Sequence, residues 1–306
     1  MNKVIEDILS NYPSCSPAII GNLYKILTHG KLAGTGKLVI LPVDQGFEHG
    51  PDRSFAKNPL SYDPEYHIKI AIEAGLSAYA APFGFLSACR PSLLAQIPTI
   101  LKINSNNSLS PASNAPDQAI TSSVKDALYL GCAGVGITIY PGSSNWLEML
   151  EEAKEIIREA AACGLISVVW SYPRGESISK EGESSVDICA YAAHIAALIG
   201  AHIIKVKPPT NYIEQKAARE IFEQEKINIE TVASRVMHVK KSCFSGKRLV
   251  LFSGGASKDK GELLEEIKAL KEGGATGSII GRNIFQRQRD EALSLLEEIC
   301  NIYTSL

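Results

Sequence analysis

Short apolar runs alternate along the chain with stretches of helical periodicity. Eight of these runs predict β-strands, at residues 37–43, 77–81, 99–103, 134–139, 166–170, 202–206, 248–252 and 277–280. The first run is almost continuously apolar and ends at Asp44. Continuous apolar strands are typical of parallel sheets that are covered on both faces.

Helical periodicity fills most of the intervals between these runs. It predicts helices at 66–74, 117–130, 146–162, 186–199, 260–272 and 284–299. Several of these helices end in glycine, the residue that favours the left-handed conformation at a helix C-terminus, as at Gly75, Gly131, Gly164 and Gly200. Eight β-then-α units predict a (β/α)8 TIM barrel, with a doubly wound open sheet as the alternative.

Residues 1–306 are expected to form a single barrel domain, since no low-complexity linker divides them. Residues 1–36 read as a helical lead-in, with helices at 4–9 and 18–28. The stretch 208–246 is long for one βα unit and predicts a helix-rich insertion after the sixth strand, with helices at 213–224 and 229–241.

The charge balance favours a small-molecule partner. The 306 residues include 31 Lys and Arg against 33 Asp and Glu, and the net charge of -2 creates no field for nucleic acid or an anionic membrane. No apolar run is long enough to predict a signal peptide or a membrane span.

The positions of the cysteines and histidines indicate the cellular compartment of the protein and whether it binds a metal or another cofactor. The seven cysteines contain no C-x-x-C pair, which is typical of reduced thiols in a cytoplasmic protein. The six histidines are dispersed and lack metal-ligand spacing, so we expect no metal and no cofactor.

The sixth predicted strand carries two lysines near its C-terminal end. Alternate residues of a strand share a face, so Ile203, Lys205 and Lys207 point the same way. An amine in an apolar setting beside a second cation loses basicity and becomes a nucleophile near neutral pH. Spacing alone does not choose between the two lysines. The alternative is that one or both extend from the strand end into solvent.

Two further strand ends carry residues suited to acid-base chemistry. Tyr172 follows the fifth strand, and a nearby ammonium would lower the pKa of its phenol; packing at the barrel mouth is the alternative. Asp44 ends the first strand and is expected to contact substrate or an inward lysine, with a loop cap as the alternative.

The seventh and eighth strands end in turns suited to a phosphate. Ser253, Gly254 and Gly255 follow one strand, and Gly281 and Arg282 follow the other. Barrel phosphate sites commonly lie after these strands, where glycines let backbone N–H groups approach an anion. Plain turn glycines are the alternative. An inward lysine, a tyrosine and a phosphate cradle together indicate imine formation with a phosphorylated ketose.

At these positions the chain resembles the archaeal and bacterial type of class I fructose-bisphosphate aldolase, a barrel family that uses a Schiff base. The resemblance covers nearly the whole chain and is carried by the motifs LPVDQGFEHGP (41–51), LKIN (101–104), TIYPGS (138–143), WSYPRG (170–175), GAHIIKVK (200–207), SGG (253–255) and GRN (281–283). It implies reversible cleavage of fructose 1,6-bisphosphate to dihydroxyacetone phosphate and glyceraldehyde 3-phosphate in a homo-oligomer.

The resemblance also implies roles for individual residues. Lys205 rather than Lys207 forms the Schiff base, and Lys207 is a second cation that lowers the pKa of Lys205 and attracts phosphate. Tyr172 transfers protons and Asp44 contacts the substrate. The remaining implied binding residues are Trp170, which shapes the pocket, Arg174, which helps to bind substrate phosphate, and the two glycine turns, Ser253 to Gly255 and Gly281 with Arg282. Glu214 is an uncertain acidic helper, because the loop after the sixth strand differs among relatives.

Two alternative functions stay open. One is a related lysine-dependent aldolase, transaldolase or thiolase that acts on another phosphorylated ketose. The other is a non-catalytic sugar-phosphate-binding protein, which would keep the phosphate turns without needing Lys205 and Tyr172.

Overall fold

Eight parallel strands form a closed barrel in the computed structural model, which describes residues 2–109, 115–255 and 258–305. The barrel strands are β1 Leu38–Pro42, β2 Ala78–Pro82, β3 Thr99–Lys102, β4 Gly134–Ile139, β5 Ile166–Ser171, β6 Ile203–Val206, β7 Leu249–Ser253 and β8 Gly277–Ile279. Strands β1 and β8 pair in parallel, with Leu38 opposite Gly277. This pairing closes the sheet, so the (β/α)8 prediction is confirmed and the open-sheet alternative is wrong.

Helices surround the barrel. They are α1 Lys3–Leu9, α2 Pro17–Leu27, α3 Gln45–His49, α4 Pro51–Phe55, α5 Pro64–Glu73, α6 Phe83–Ser87, α7 Pro91–Leu94, α8 Val124–Tyr129, α9 Trp146–Ala162, α10 Val186–Leu198, α11 Lys216–Gln224, α12 Val232–Ser242, α13 Lys260–Glu272, α14 Arg282–Phe285 and α15 Arg289–Thr304. Short 3-10 helices span Pro59–Tyr62 and Gly182–Ser184. None of the described helices is long and apolar enough to cross a membrane.

The helix predicted at 117–130 is shorter than expected. A two-residue strand, Ala119–Ile120, pairs antiparallel with Asn104–Ser105. Helix α8 begins after Ser123, whose hydroxyl accepts from the backbone N–H of Asp126 in a capping box. The capping box fixes the start of the helix, and the apolar residues Ala119 and Ile120 before it belong to the two-stranded antiparallel sheet.

The helix predicted at 284–299 consists of two helices, α14 and α15. The guanidinium of Arg287 lies between them, and its Nε donates to the backbone oxygen of Asn283 at 2.9 Å. Helix α14 therefore ends beside the turn that follows β8.

Two helices occupy the predicted insertion at 208–246, as expected. Helix α12 packs against both α10 and α13, and its residues Val236 and Val239 belong to the outer core. Helix α12 thus takes the place of the sixth barrel helix, and α11 is the added element.

Trp170 fills the upper part of the barrel interior. A Cβ at Gly136 on the neighbouring strand β4 would lie 2.5 Å from the Trp170 ring, so only glycine leaves room for the indole at this height. Ile100, Ile203 and Leu251 belong to the same interior core, while the alternate strand residues pack outward against the helices.

The N-terminal helices close the bottom of the barrel. Leu23 and Ile26 of α2 are fully buried and belong to the same core as the interior strand residues. The Tyr12 hydroxyl donates to the backbone oxygen of His202 at 2.7 Å, and Asn22 Nδ2 donates to that of Gly164 at 2.8 Å. Residues 1–36 thus form part of the core, although the sequence indicated only a lead-in.

Replacement of Leu23 by alanine is expected to destabilise the whole barrel. Because Leu23 is 0% exposed beneath the strands, Leu23→Ala should lower the free energy of unfolding by about 2–5 kcal/mol. Tyr24→Ala on the same helix removes a side chain that is 40% exposed and serves as the control. Urea unfolding measures the free energy of unfolding of both variants. Equal losses of this free energy would contradict the conclusion that α2 forms part of the core at the bottom of the barrel.

Candidate active site

A cavity of about 560 Å³ opens at the C-terminal ends of the strands. Ten of the predicted site residues line it: Asp44, Tyr172, Arg174, Lys205, Lys207, Ser253, Gly254, Gly255, Gly281 and Arg282. The structure therefore brings together residues that follow β1, β5, β6, β7 and β8.

Lys205 lies on the floor of this cavity. The side chain is 3% exposed, and its Nζ lies 5.3 Å from the centre of the Trp170 ring and 5.6 Å from that of Tyr172. Burial lowers its pKa to about 8, Asp44 opposes this shift, and Lys102 lowers the pKa further. With a pKa of about 8, about a tenth of Lys205 is the free amine at pH 7, far more than for an ordinary lysine, and the free amine is the form that nucleophilic attack requires.

Lys102 is a second buried lysine for which the sequence analysis assigned no role. It is 2% exposed, and its Nζ donates to the backbone oxygen of Asn104 and, at 2.8 Å, to Oδ1 of Asn104. Burial lowers its pKa to about 8, against the raising effect of Asp44 and Glu48. It follows Ile100 at the two-residue period of β3, so strand alternation was a usable signal for it.

Trp170, which we predicted to shape the pocket, is not among the residues that line the cavity itself. It is 1% exposed and lies in the barrel interior beneath the two lysines, 5.9 Å from Lys102 Nζ. Its role is to form the apolar floor that desolvates both amines.

Tyr172 has a high pKa, contrary to the expectation that a nearby ammonium lowers it. Burial raises the pKa well above the usual value, and Asp44 raises it further, whereas Arg174 opposes the shift. The phenol is protonated at rest. It is therefore a proton donor whose conjugate base, once formed, is strong.

Asp44 occupies the N-cap position of α3. Its side chain makes no capping hydrogen bond there, so the loop-cap alternative does not account for its carboxylate. Its charge acts on Lys205, Lys102 and Tyr172. Of the nearby carboxylates, Asp44 is therefore the one that raises the pKa of the Lys205 and Lys102 amines most.

Arg174 is paired with a carboxylate that the sequence analysis did not single out. Its Nη1 donates to Glu48 Oε1 at 2.7 Å, and the guanidinium stacks 5.3 Å from the Tyr140 ring and 5.7 Å from the Tyr172 ring. Burial opposes the ionisation of Glu48, but Arg174 outweighs it and lowers the pKa of that carboxyl. Arg174 therefore orders Tyr172 as well as contributing charge to the cavity.

Lys207 is also matched by a carboxylate. Its Nζ donates to Glu183 Oε2 at 2.7 Å, and Lys180 donates to the other oxygen of Glu183 at 3.0 Å. Burial, Lys102 and Arg282 lower the pKa of Lys205, whereas Lys207, for which we predicted this effect, is paired with Glu183. Lys207 and Lys180 instead form a cationic side of the cavity mouth.

The two glycine turns meet at one side of the cavity. Arg282 Nη2 donates to the backbone oxygen of Gly255 at 3.1 Å, and the buried Asn283 donates from Nδ2 to that of Gly254 at 2.9 Å. Within the described residues Arg282 forms no ion pair with a carboxylate, unlike Arg174 and Lys207. Its charge is therefore available to an anion.

Glu214 does not line the cavity. Its carboxylate accepts from the backbone N–H and the hydroxyl of Ser179, both at 2.8 Å, and so ties together two loops outside the site. The carboxylate of Glu214 is therefore engaged outside the cavity, and its role as an acidic helper stays a prediction. The acidic residues that line the cavity are Asp44, Glu48, Glu183 and Glu266.

Metal-ligating residues do not cluster in the part of the chain that the structure describes: no three His, Cys, Asp or Glu side chains there are arranged to hold an ion. The fold and the site together define the class of TIM barrels that carry a buried lysine of lowered pKa in the cavity at the C-terminal ends of the strands.

Comparisons with known proteins agree with this class. Residues 38–287 match the sequence profile of the DeoC/LacD family aldolases. A probable class 1 fructose-bisphosphate aldolase of Chlamydia muridarum is 34% identical, with 93% of this chain and 84% of the relative covered. The class 1 fructose-bisphosphate aldolase of Thermoproteus tenax is 35% identical, with 84% and 86% covered.

A solved structure gives the same result. A Schiff base-forming fructose-1,6-bisphosphate aldolase, studied as reaction intermediates, superimposes with a TM-score of 0.75 at 33% identity, over 88% of this chain and 95% of that one. The chain belongs to the DeoC/LacD family of aldolases, and the resemblance inferred from the sequence motifs is confirmed.

The pH dependence of imine formation should identify the neighbour that tunes Lys205. Reaction with pyridoxal 5′-phosphate, followed by absorbance, is expected to rise with pH through about 8 as the amine loses its proton. Lys102→Met removes a cation that disfavours the ammonium, so the midpoint should move up. Lys207→Met should leave the midpoint unchanged. A shift in Lys207→Met alone would contradict this assignment.

Proposed function

We propose that the protein catalyses reversible aldol cleavage of fructose 1,6-bisphosphate to dihydroxyacetone phosphate and glyceraldehyde 3-phosphate, with Lys205 forming the Schiff base. The observation that carries the proposal is the buried Lys205 amine, with a pKa of about 8, on the floor of a cavity that also presents Tyr172 and Arg282, a cation that no carboxylate of the described residues pairs. The names of the relatives supply the substrate.

The reaction begins at the free amine of Lys205. Nζ attacks the ketose carbonyl at C2, and loss of water from the carbinolamine gives a protonated imine. The apolar floor at Trp170 favours the neutral amine before attack, and Asp44 stabilises the cation that forms afterwards. The protonated imine then serves as the electron sink for cleavage.

Tyr172 is proposed to carry the protons of the carbon-carbon step. The phenol first gives its proton to the hydroxyl that leaves the carbinolamine as water, and so becomes a phenolate. As C3–C4 breaks, the electron pair of that bond moves into an enamine and the C4 hydroxyl gives its proton to the phenolate oxygen. The resulting phenol protonates C3. The high pKa of Tyr172 suits this role because its phenolate is a strong base, and Arg174 lies against the ring to stabilise that anion.

The two phosphates are assigned to opposite sides of the cavity. The turns at Ser253 to Gly255 and Gly281 to Arg282 suit one phosphate, since the Arg282 charge is not matched by a carboxylate. Lys207 and Lys180, which share Glu183, suit the other. The second phosphate must compete with Glu183 for these amines.

Borohydride trapping tests the mechanism. Dihydroxyacetone phosphate with borohydride should add covalently to Lys205, as mapped by peptide mass spectrometry, because reduction fixes the imine. Lys205→Met should abolish both trapping and cleavage. Lys207→Met is the control and should still be trapped. Trapping at a residue other than Lys205, or cleavage of fructose 1,6-bisphosphate by the Lys205→Met variant, would contradict the mechanism.

Tyr172→Phe separates proton transfer from imine formation. Removal of the phenol hydroxyl should reduce turnover by about a hundredfold or more, the range typical of a general acid-base group. Trapping at Lys205 should persist, because the ring that packs near the amine remains. If trapping and turnover fall together, Tyr172 is structural.

Another phosphorylated ketose is the alternative substrate, for a related lysine-dependent aldolase, transaldolase or thiolase. The two lysines that share Glu183 at the mouth distinguish the candidates. A monophosphate would need only the Arg282 side, whereas a bisphosphate needs Lys207 and Lys180 as well. Comparing kcat/KM for fructose 1,6-bisphosphate and fructose 1-phosphate decides between them. A non-catalytic binding protein would show neither turnover nor trapping.

Two broader proposals concern the setting of the protein. We place it in the cytoplasm, which agrees with seven free cysteines. A homo-oligomer is supported by large apolar side chains on the surfaces of α9 and α10, where Trp146, Leu147, Tyr191 and Leu198 are 47–60% exposed.

A further inference from the structure

A small polar chamber, here named the annex, lies behind the active cavity. It is lined by Lys102, Ser105, Asn106, Gln118, Thr138 and Tyr140, and by three residues that also line the active cavity, Asp44, Glu48 and Tyr172. Its volume is about 20 Å³, which is room for one water molecule. Since Tyr172 borders both spaces, its phenol can be reached from the annex as well as from the substrate side.

Gln118 supplies a buried acceptor in the annex. The residue is 6% exposed, and its Nε2 donates to the Tyr140 hydroxyl at 2.7 Å. Its Oε1 is buried and has no hydrogen-bond partner within the described ranges. Because a buried amide oxygen ordinarily accepts a hydrogen bond, we expect a donor inside the annex that bonds to Gln118 Oε1.

Two other polar groups face the same small volume. Lys102 uses two of its three N–H groups on Asn104, which leaves one to donate. The Tyr172 hydroxyl makes no hydrogen bond to any residue that the structure describes, and it can donate or accept. An acceptor, a donor and a hydroxyl within one water-sized space are the partners that a buried water needs.

We propose that the annex holds an ordered water between Gln118 Oε1 and the Tyr172 hydroxyl, and that this water exchanges the Tyr172 proton with solvent while substrate occupies the cavity. The water oxygen accepts the phenol proton as one of its own O–H protons passes to the phenol oxygen. One O–H bond breaks and one forms on each oxygen, so no net charge moves and nothing is oxidised.

The annex offers this exchange a separate route to the outside. Asn106, which is half-buried, lines the annex but not the active cavity, and the next residue in the chain, Asn107, is exposed. The substrate side of Tyr172 is covered when a sugar phosphate is bound, whereas the annex side is not. The inference rests on the proposed function, because that function makes Tyr172 the proton carrier.

Deuterium incorporation tests the annex. With dihydroxyacetone phosphate in D2O, the protein abstracts a C3 proton and returns a deuteron only if Tyr172 has exchanged with solvent. Gln118→Leu removes the acceptor and fills the annex, so incorporation, followed by NMR, should slow by about tenfold or more. Borohydride trapping at Lys205 and the melting temperature should stay near those of the unaltered chain. Gln118→Glu restores an oxygen acceptor and should recover exchange.

Each outcome decides the proposal. Unchanged incorporation in Gln118→Leu would overturn it, and so would a parallel loss of trapping that Gln118→Glu fails to restore. Absence of a water within hydrogen-bond distance of Gln118 Oε1 in a high-resolution crystal structure would also overturn it. Failure of the proposed function is distinguishable, because the unaltered chain would then not be trapped at all.

Discussion

Burial of the Lys205 amine is the constraint on which the site depends. The Trp170 ring lies beneath the amine, Lys102 stands beside it, and Asp44 compensates part of the resulting cost. If the floor were polar, the amine would remain an ammonium and no nucleophile would form. If Asp44 were absent, the protonated imine would lack a counter-charge. The pKa of about 8 reflects the balance of these effects.

The barrel supplies this balance because successive interior positions of a strand rise toward the mouth. Ile203, Lys205 and Lys207 follow one another up β6 and beyond it, so the apolar layer, the nucleophile and the cationic mouth lie on one line. Gly136 makes room for Trp170 at the level below the lysines. The N-terminal helices seal the opposite end, which keeps water from reaching this floor from below.

Much of the fold and of the candidate site was predictable from the pattern of apolar and polar residues. Strand count, glycine caps and alternation predict the barrel and place Lys205 and Tyr172 at its mouth, and the SGG and GRN turns predict the anion side. The same alternation of side chains along β3 puts Lys102 on the interior face together with Ile100. That strand carries a single lysine, which is a weaker signal than the two lysines at 205 and 207.

Other features need contacts between distant parts of the chain. The pairing of Glu48 with Arg174, of Glu183 with Lys207 and of Glu214 with Ser179 joins loops far apart in sequence, so no local pattern reveals which carboxylate faces the cavity. The raised pKa of Tyr172 likewise depends on burial and on Asp44, which the position of a strand end does not determine.

Direct titration of Lys205 tests the central claim. Selective isotopic labelling of lysine, with Lys205→Met to assign the resonance, lets NMR follow the ionisation of this one amine in the free protein. The account predicts a midpoint near 8. A midpoint near the ordinary lysine value of about 10.4 would contradict the account, because the amine would then be solvated rather than buried.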